Sequence, residues 1–226
     1  MKGIQWCTSV IATVAIIIIL LITSFELGIY GGYGWYEKEY QKYDVTSELE
    51  MKLPEVMHVT KEMMSYLRGN RKNLVVETKV NGNTREFFND REKAHMKDVQ
   101  HLFLGGLVLR RVAIGIFLLC ILILVGSKGK ICYLLTRAYQ IGLGIFAILL
   151  GIVGYLFSQD FTTYFIKFHE LFFTNDLWLL DPETDLMIRM LPEEFFSDMV
   201  ARIGIIFVVL LVAFLVGSIV IKKKRL

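Results

Sequence analysis

The stretch GGLVLRRVAIGIFLLCILILVG, residues 105–126, ends in fifteen consecutive residues without a charged side chain. A helix that crosses a hydrocarbon core of about 30 Å needs about 20 mainly apolar residues. Three further blocks meet this requirement, at residues 9–30, 141–157 and 203–221. With a span at residues 107–126, the sequence therefore predicts a mainly α-helical, polytopic membrane protein with four transmembrane helices.

The composition agrees with this class. Hydrophobic residues make up 54% of the 226 residues, whereas a soluble domain averages about 45–50% apolar residues. The formal net charge is only +3, which argues against nucleic acid as a partner. The three cysteines form no CxxC or CxxH pair, so the sequence does not indicate a cysteine zinc site.

Basic residues are concentrated at the N-terminus, in the connection of residues 127–140 and in the tail that follows the fourth span. They are Lys2, Lys128, Lys130, Arg137, Lys222, Lys223, Lys224 and Arg225. Short basic segments stay on the cytoplasmic side of a membrane. We therefore predict that the connection and both termini are cytoplasmic.

The first block also has the basic start and the apolar run of a signal peptide. No small-x-small cleavage site follows the run. We therefore expect a retained helix within residues 1–30.

The long segments at residues 31–106 and 158–202 are then extracellular, and together they exceed half of the chain. The first has twelve basic and twelve acidic residues between positions 37 and 98, and the second has nine acidic and three basic residues. Connections of this length are uncommon as plain loops. We predict that they form a folded cap. Its first part lies between the first and second spans, and its second part lies between the third span and the fourth span, which with its basic tail occupies residues 203–226.

Local patterns predict helices and a short hairpin in this cap. Residues 44–70 have helical apolar spacing that stops at Gly69, and glycine is favoured just beyond the end of a helix. Residues 73–88 predict a β-hairpin with Asn81-Gly82 at its turn. Mainly α structure with one hairpin is therefore expected.

A helix is predicted to begin at Asp90 and to run into the second span. Asn89, with Glu92 three residues later, is typical of a capping box at a helix start. Gly105 and Gly106 suggest a break before the span, because glycine lowers helix stability.

The segment DREKAHMKDVQHLF, residues 90–103, contains two of the four histidines. On a helix, Arg91, His95 and Asp98 share one face, whereas His101 points about 120° away from His95. Asp98 can then accept a hydrogen bond from one ring nitrogen of His95 and leave the other free to take a proton. The alternative is a solvated helix with incidental histidines.

His169 lies in FIKFHELFF, within a phenylalanine-rich segment that predicts a helix in the headgroup region. Phe165, Phe172 and Phe173 are its neighbours on the same helix face. Apolar surroundings favour the neutral imidazole, which is the form that acts as a base. The alternative is a histidine that only anchors the helix at the interface.

Other chemistry has little support in the sequence. There is no HxxxH, HExxH or GxSxG motif, and no cysteine lies on the outer side, so neither a metal centre nor an acyl-enzyme nucleophile is evident. Two histidines with Asp98 or Asp181 could still converge on a metal. Arg110 and Arg111, inside the second span, predict either snorkelling to the headgroups or a contact with a polar lipid or a substrate carbonyl.

Three segments carry a resemblance to a known family: SYLRGNRKNL (residues 65–74), FFNDREKAHMKDVQHLF (87–103) and FHELFFTNDLWLLDPETDLMIRMLPEEFF (168–196). With these segments and four spans in this order, the chain resembles the lipoprotein intramolecular transacylases (Lit) of Gram-positive bacteria. The resemblance implies four transmembrane helices under an extracellular cap, in the bacterial cell membrane. It also implies two catalytic histidines at the interface between cap and membrane, which would be His95 and His169.

The implied substrate is a diacylglyceryl lipoprotein with a free N-terminal cysteine, in contact with membrane lipid. Its amine attacks the sn-2 ester of its own glyceryl group and becomes acylated. One histidine would take a proton and the other would stabilise the oxyanion or protonate the leaving oxygen. No cofactor and no enzyme nucleophile are required.

Further residues follow as supporting candidates for this reaction. Asp98 would orient His95, and the aromatic side chains of Trp178, Phe172 and Phe173 would exclude water. The weaker candidates for positioning the peptide backbone are Arg91, Asn175 and Asp181. Two other classes stay open: a membrane assembly or sensing protein that binds a partner through its cap, and a metal-dependent membrane hydrolase.

Overall fold

The computed structural model describes residues 2–127 and 130–224. Lys128 and Arg225, which entered the orientation argument, lie outside the described residues. The elements in chain order are α1 Lys2–Tyr30, α2 Tyr33–Lys42, α3 Val45–Glu48, α4 Leu53–Leu67, β1 Glu77–Val80, β2 Asn83–Glu86, α5 Asp90–Gly126, α6 Ile131–Gln159, α7 Phe161–Phe172, α8 Leu186–Met190 and α9 Glu193–Lys224.

The chain forms two compact units. The bundle unit consists of Met1–Gly28, Leu107–Phe161 and Ala201–Leu226, and the hairpin unit of Ile29–Gly106 and Thr162–Val200. Four helices, α1, α5, α6 and α9, are long and apolar enough to cross a membrane. The prediction of a mainly α-helical protein with four such helices is confirmed.

The bundle unit has a small apolar core and an apolar outer surface. Ile17, Tyr139 and Phe207 are buried among side chains of α1, α6 and α9. Leu122 and Ile148, by contrast, are 68% and 67% exposed. A surface of large exposed apolar side chains is what a helix needs toward lipid.

Of the four glycines of α6, Gly142 lies in close contact with another helix. A Cβ atom there would lie 2.7 Å from Cγ2 of Thr13 on α1. At Gly144, Gly151 and Gly154 it would meet no described atom within 4 Å. Among these four glycines, Gly142 is therefore the one that permits a close approach of a second described helix.

Arg110 is involved in an ion pair, which the sequence analysis did not anticipate. Its guanidinium contacts the carboxylate of Glu26 on α1, and both side chains are mostly buried. Neither snorkelling nor a lipid contact is needed to account for this arginine, since a charge pair lowers the cost of a charge among apolar helices.

Two expected boundaries differ in the structure. α5 runs without interruption through Gly105 and Gly106, so the expected break is wrong; a helical glycine costs only about 1 kcal/mol relative to alanine. The connection expected at residues 127–140 is shorter, because α6 already begins at Ile131.

The hairpin unit contains the expected hairpin. β1 and β2 pair antiparallel with Val80 opposite Asn83, and the two residues between them, Asn81 and Gly82, have φ values of 49° and 74°. Positive φ at both positions identifies the tight turn that matches strand twist. The short hairpin follows α4, whose end at Gly69 is also confirmed by a φ of 81°.

Candidate active site

Two histidines from distant parts of the chain lie side by side in the hairpin unit. His95 is in the second turn of α5, and His169 is near the end of α7. Their ring centroids are 6.1 Å apart. Their exposed fractions are 6% and 9%, so both rings are largely removed from water.

Aromatic side chains surround this pair. Phe173 meets the His95 ring edge-to-face at a centroid distance of 5.3 Å. Trp178 stacks on the His169 ring at 4.9 Å with planes 28° apart, and Phe165 contacts the same ring at 4.4 Å. Such neighbours exclude water and supply few hydrogen bonds.

These surroundings hold both histidines in the neutral state. Burial is the main cause that lowers the pKa of His95 to about 4, and the neighbouring His169 lowers it further, against an opposing effect of Asp98. Burial also lowers the pKa of His169, although the Phe165 carbonyl acts in the opposite direction. At neutral pH each ring therefore has one nitrogen that accepts a hydrogen bond and one that donates.

The tautomer of His169 follows from its own helix. Its Nδ1 lies 2.7 Å from the carbonyl oxygen of Phe165, four residues earlier. A carbonyl can only accept, so Nδ1 bears the hydrogen and donates it. In the neutral ring Nε2 then has the lone pair, as a proton acceptor requires.

The Nδ1 atom of His95 is buried and has no hydrogen-bond partner among the described residues. Buried polar atoms without a partner are rare in folded proteins. This one lies on a ring whose neighbours are His169 and Phe173. It is a buried hydrogen-bonding position beside the second imidazole.

The hydrogen bond expected between Asp98 and His95 does not form among the described residues. The Asp98 carboxylate instead accepts from Nδ2 of Asn175 at 2.9 Å. The two side chains share a helix face, but the His95 ring packs against Phe173 and the short Asp98 side chain meets the loop after α7. Asp98 thus affects His95 through its charge, not by orienting its ring.

Arg91 and Asn175 also act on this loop. Arg91 donates to the carbonyl oxygen of Asp176, and Oδ1 of Asn175 accepts from the backbone N–H of Leu177 at 3.1 Å. With Asp98, these residues attach the loop that precedes Trp178 to α5. These contacts support Trp178, which together with Phe173 forms what we call the aromatic wall beside the two histidines.

Glu92 is a buried residue that the sequence analysis identified only as part of a capping box. The box is confirmed, since Glu92 accepts from the Asn89 N–H at 2.7 Å and donates its own N–H to Oδ1 of Asn89 at 2.9 Å. Its other oxygen accepts from the N–H of Met187 at 2.6 Å. This second contact connects residues 95 positions apart, which no local pattern indicates.

Asp185 extends this network and was not singled out from the sequence. Its Oδ1 accepts from Nδ2 of Asn89 at 2.6 Å, and its Oδ2 accepts from the N–H of Asp181 at 2.7 Å. Burial raises the pKa of Asp185, but these hydrogen bonds bring it below its ordinary value. Asp181 is exposed and caps a turn, accepting from the N–H of Glu183.

The predicted residue Phe172 and the two other histidines lie outside this cluster. Phe172 is 48% exposed and packs on Phe168 rather than on a histidine ring. His58 and His101 are both exposed. Among the described residues, no three side chains of His, Cys, Asp or Glu are grouped so that they could hold a metal ion.

A model of the family described as lipoprotein intramolecular transacylase Lit matches residues 10–196 of the chain. A search among curated proteins gives no match. The family match covers all the residues around the two histidines.

Solved structures of the membrane integral lipoprotein intramolecular transacylase Lit from Bacillus cereus have the same fold. One gives a TM-score of 0.74 at 20% identity, and covers 100% of this chain and 99% of that chain. Another, of a variant with one histidine replaced by arginine, gives 0.73 at 21% identity, with coverage of 99% and 95%. At this level of identity the likeness concerns the fold.

Proposed function

This chain belongs to the Lit family, the lipoprotein intramolecular transacylases, and from this premise we propose how it acts. It moves the sn-2 acyl chain of a diacylglyceryl lipoprotein to the amine of the substrate's N-terminal cysteine. The product is a lyso-form lipoprotein with an N-acyl group and one remaining glyceryl ester. The observation that carries the proposal is the pair of buried, neutral imidazoles 6.1 Å apart.

The reaction needs orientation more than it needs a nucleophile from the enzyme. The amine nitrogen attacks the acyl carbon within one molecule, through an eight-membered ring that includes the cysteine sulfur and the ester oxygen. Rings of this size close poorly unless the ends are held together, and fixed geometry can contribute several kcal/mol to the rate. Two neighbouring imidazoles, which can exchange protons and donate hydrogen bonds, suit this reaction.

His169 is our choice for the base. Its Nδ1–H is engaged by the Phe165 carbonyl, which leaves Nε2 to take a proton from the substrate ammonium. The free amine then attacks the ester carbonyl and a tetrahedral oxyanion forms. The protonated His169 returns the same proton to the glyceryl oxygen as the carbon–oxygen bond breaks, and the acylated nitrogen releases its second proton to water, which leaves a neutral amide.

His95 stabilises the oxyanion in this scheme. Its pKa of about 4 keeps it neutral, and a neutral imidazole can donate an N–H hydrogen bond to a developing negative charge. The ring is held by Phe173, and its unpartnered Nδ1 can take up either substrate or ordered water. The substrate carbonyl would therefore bind between the two imidazole rings.

The aromatic wall favours acyl transfer over hydrolysis. Trp178 and Phe173 shield the histidines, so that few water molecules compete with the amine. Arg91, Asp98 and Asn175 support the wall through the loop after α7. Glu92 and Asp185 hold the segment after Trp178 through hydrogen bonds from the N–H groups of Met187 and Asp181.

We further propose that the site faces the outer surface of the cell membrane, with both termini in the cytoplasm. The basic termini support this orientation. Leu171, Phe168 and Phe172 on α7 are 77%, 41% and 48% exposed, and such side chains enter a headgroup region readily. This contact would bring His169 to the depth of the glyceryl ester.

Replacement of each histidine tests the proposal. We expect His95→Ala and His169→Ala to lower acyl transfer to a synthetic diacylated lipopeptide by about 100-fold or more, as loss of acid–base catalysis does. The product is measured by mass spectrometry of the N-terminal cysteine. His58→Ala and His101→Ala are matched controls and should keep full activity. Normal product from both active-site variants would refute the assignment.

A further inference from the structure

A cavity of about 360 Å³ lies within the bundle unit, between α1, α5, α6 and α9. It is separate from the histidine pair, which belongs to the hairpin unit. Its lining includes Ala12, Phe117, Tyr139, Phe214 and Gly217. The proposed acyl transfer makes no use of it.

The lining of this cavity disfavours water. Most of its residues are apolar, and its main hydroxyl groups are already engaged by backbone. Tyr139 donates to the carbonyl of Leu211 at 2.9 Å, and Thr136 donates to that of Ser218 at 3.3 Å. Water needs two to four polar partners to occupy a cavity, whereas an apolar cavity of about 150 Å³ accepts a six-carbon ring. The present volume accommodates roughly a dozen carbon atoms by that comparison.

The described charged residues beside the cavity are positive. Arg137 follows Thr136 of the lining, and Lys222 follows Ile221. The Nζ atom of Lys222 lies 4.9 Å from the centroid of the Tyr133 ring on α6, so the basic end of α9 reaches the start of α6. Arg137 and Lys130 are exposed and form no ion pair within the described residues.

No acid balances these charges. The sequence of the bundle unit contains only two acidic residues, Glu26 and Asp160. Glu26 is paired with Arg110, and Asp160 follows the opposite end of α6 from Lys130. An apolar cavity with uncompensated cations at one end fits a molecule with an apolar chain and an anionic head.

We propose that this cavity binds one acyl chain of an anionic phospholipid, whose phosphate is held by Arg137, Lys222 and Lys130. Basic pockets between membrane helices bind anionic headgroups, with about 1 kcal/mol for each nearby basic residue. The site is a lipid-binding site distinct from the one that receives the lipoprotein substrate. Its occupant comes from the surrounding bilayer.

The test uses the full-length protein, freed of lipid in detergent, and native mass spectrometry with two probes. Phosphatidylglycerol and phosphatidylcholine with identical chains differ only in the headgroup, which gives the first a net negative charge and leaves the second neutral overall. We expect phosphatidylglycerol to bind at least about fivefold more tightly. Equal binding of the two lipids would overturn the proposal.

Glycine variants on α9 test the cavity itself. A Cβ atom at Gly217 meets no described atom within 4 Å, and the same holds for Gly204, so the first atom of a side chain is accommodated at either position. Gly217→Leu should fill the cavity and lower phosphatidylglycerol binding about tenfold, whereas Gly204→Leu, away from the lining, should leave it unchanged. Ala213→Leu is a second filling variant in case Gly217→Leu does not fold. Undiminished binding by a folded filling variant refutes the site.

Charge variants test the contacts to the lipid headgroup separately from those to the acyl chain. Arg137→Gln, Lys222→Gln and Lys130→Gln combined should reduce phosphatidylglycerol binding to the level of phosphatidylcholine, without a change in phosphatidylcholine binding. A preserved preference for phosphatidylglycerol in this variant would contradict the assigned headgroup contacts. Arg111→Gln, on an exposed residue of α5 outside the cavity lining, is the matched control and should keep the preference.

Discussion

The imidazole of His169 lies against the indole of Trp178, with ring centroids 4.9 Å apart and planes inclined by 28°. The indole covers one face of the imidazole and keeps water from it. This contact therefore contributes to the burial that lowers the pKa of His169. It connects the loop after α7 to the protonation state of the proposed base.

The pH dependence of acyl transfer should report this contact. His169 must be neutral to accept a proton, so kcat/KM falls as pH falls through its pKa, which burial places below the ordinary value of about 6.5. Trp178→Ala admits water, raises the pKa of His169, and shifts this acid limb to higher pH. We expect Trp178→Phe to shift it less.

Leu179→Ala is the control for that profile, because Leu179 is adjacent but 55% exposed. Its acid limb should coincide with that of the unmodified protein. An unchanged limb in Trp178→Ala would show that the indole does not determine the protonation of the base.

Stability should fall in acid because of His95. Its pKa is about 4 in the folded protein and about 6.5 in an unfolded chain. The unfolded chain therefore binds a proton first as pH decreases, and about 3 kcal/mol of unfolding free energy is lost between pH 6.5 and 4. The free energy of unfolding, measured in detergent as a function of pH, should show this loss as a slope between pH 6.5 and 4.

His95→Phe removes the titrating group and should flatten the slope in that window. His101→Phe, at an exposed histidine of the same helix, should keep it. Equal slopes for His95→Phe and the unmodified protein would mean that His95 is not buried as neutral imidazole.

Glu92→Ala should be among the more destabilising single substitutions in the hairpin unit. It leaves the partly buried N–H of Asn89 and the buried N–H of Met187 without acceptors, at about 1–3 kcal/mol for an unsatisfied buried group. We expect a loss of roughly 3 kcal/mol, and a smaller loss for Glu92→Gln, which keeps one acceptor. Chemical unfolding measures both.

Glu183→Ala provides the comparison for Glu92, since the Glu183 side chain is exposed. A surface change of this kind alters stability by about 0.5 kcal/mol or less. A similar small effect in Glu92→Ala would contradict a structural role of the carboxylate.

The ion pair between Glu26 and Arg110 should appear in a double-mutant cycle. Either Glu26→Gln or Arg110→Gln leaves a charge among apolar helices without its partner, and we expect a loss of about 1–3 kcal/mol. The double variant should lose less than the sum of the two. Additive effects would show that the two charges do not interact. Arg111→Gln, at an exposed neighbour, should have little effect.

Periodicity and turn chemistry account for what was predictable in the fold. The four apolar helices, the Asn81-Gly82 hairpin, the stop at Gly69 and the capping box of Asn89 each depend on residues close together in the chain. Local patterns therefore indicate them. The break at Gly105 was wrong because the cost of a helical glycine is small beside the hydrogen bonds of a 37-residue helix.

The site was predictable only in part. A histidine on a polar helix and one among phenylalanines were recognised as candidates, and the resemblance paired His95 with His169. The contact between Asp98 and Asn175, and that between Glu92 and Met187, join segments 77 and 95 positions apart. No spacing in the sequence indicates which carboxylate meets which distant backbone group.

The sequence by itself determined that this chain is a four-helix membrane protein with a mixed polar region, because hydrophobic burial follows from the type and period of residues. It also determined which histidines have an apolar environment along their own segment. Tertiary structure alone decided that the ring centroids of His95 and His169 lie 6.1 Å apart. It also decided which nitrogen of His169 is free, and that Asp98 accepts a hydrogen bond from Asn175 in the loop after α7. These depend on packing between distant segments, where a difference of one rotamer changes the hydrogen-bond partner.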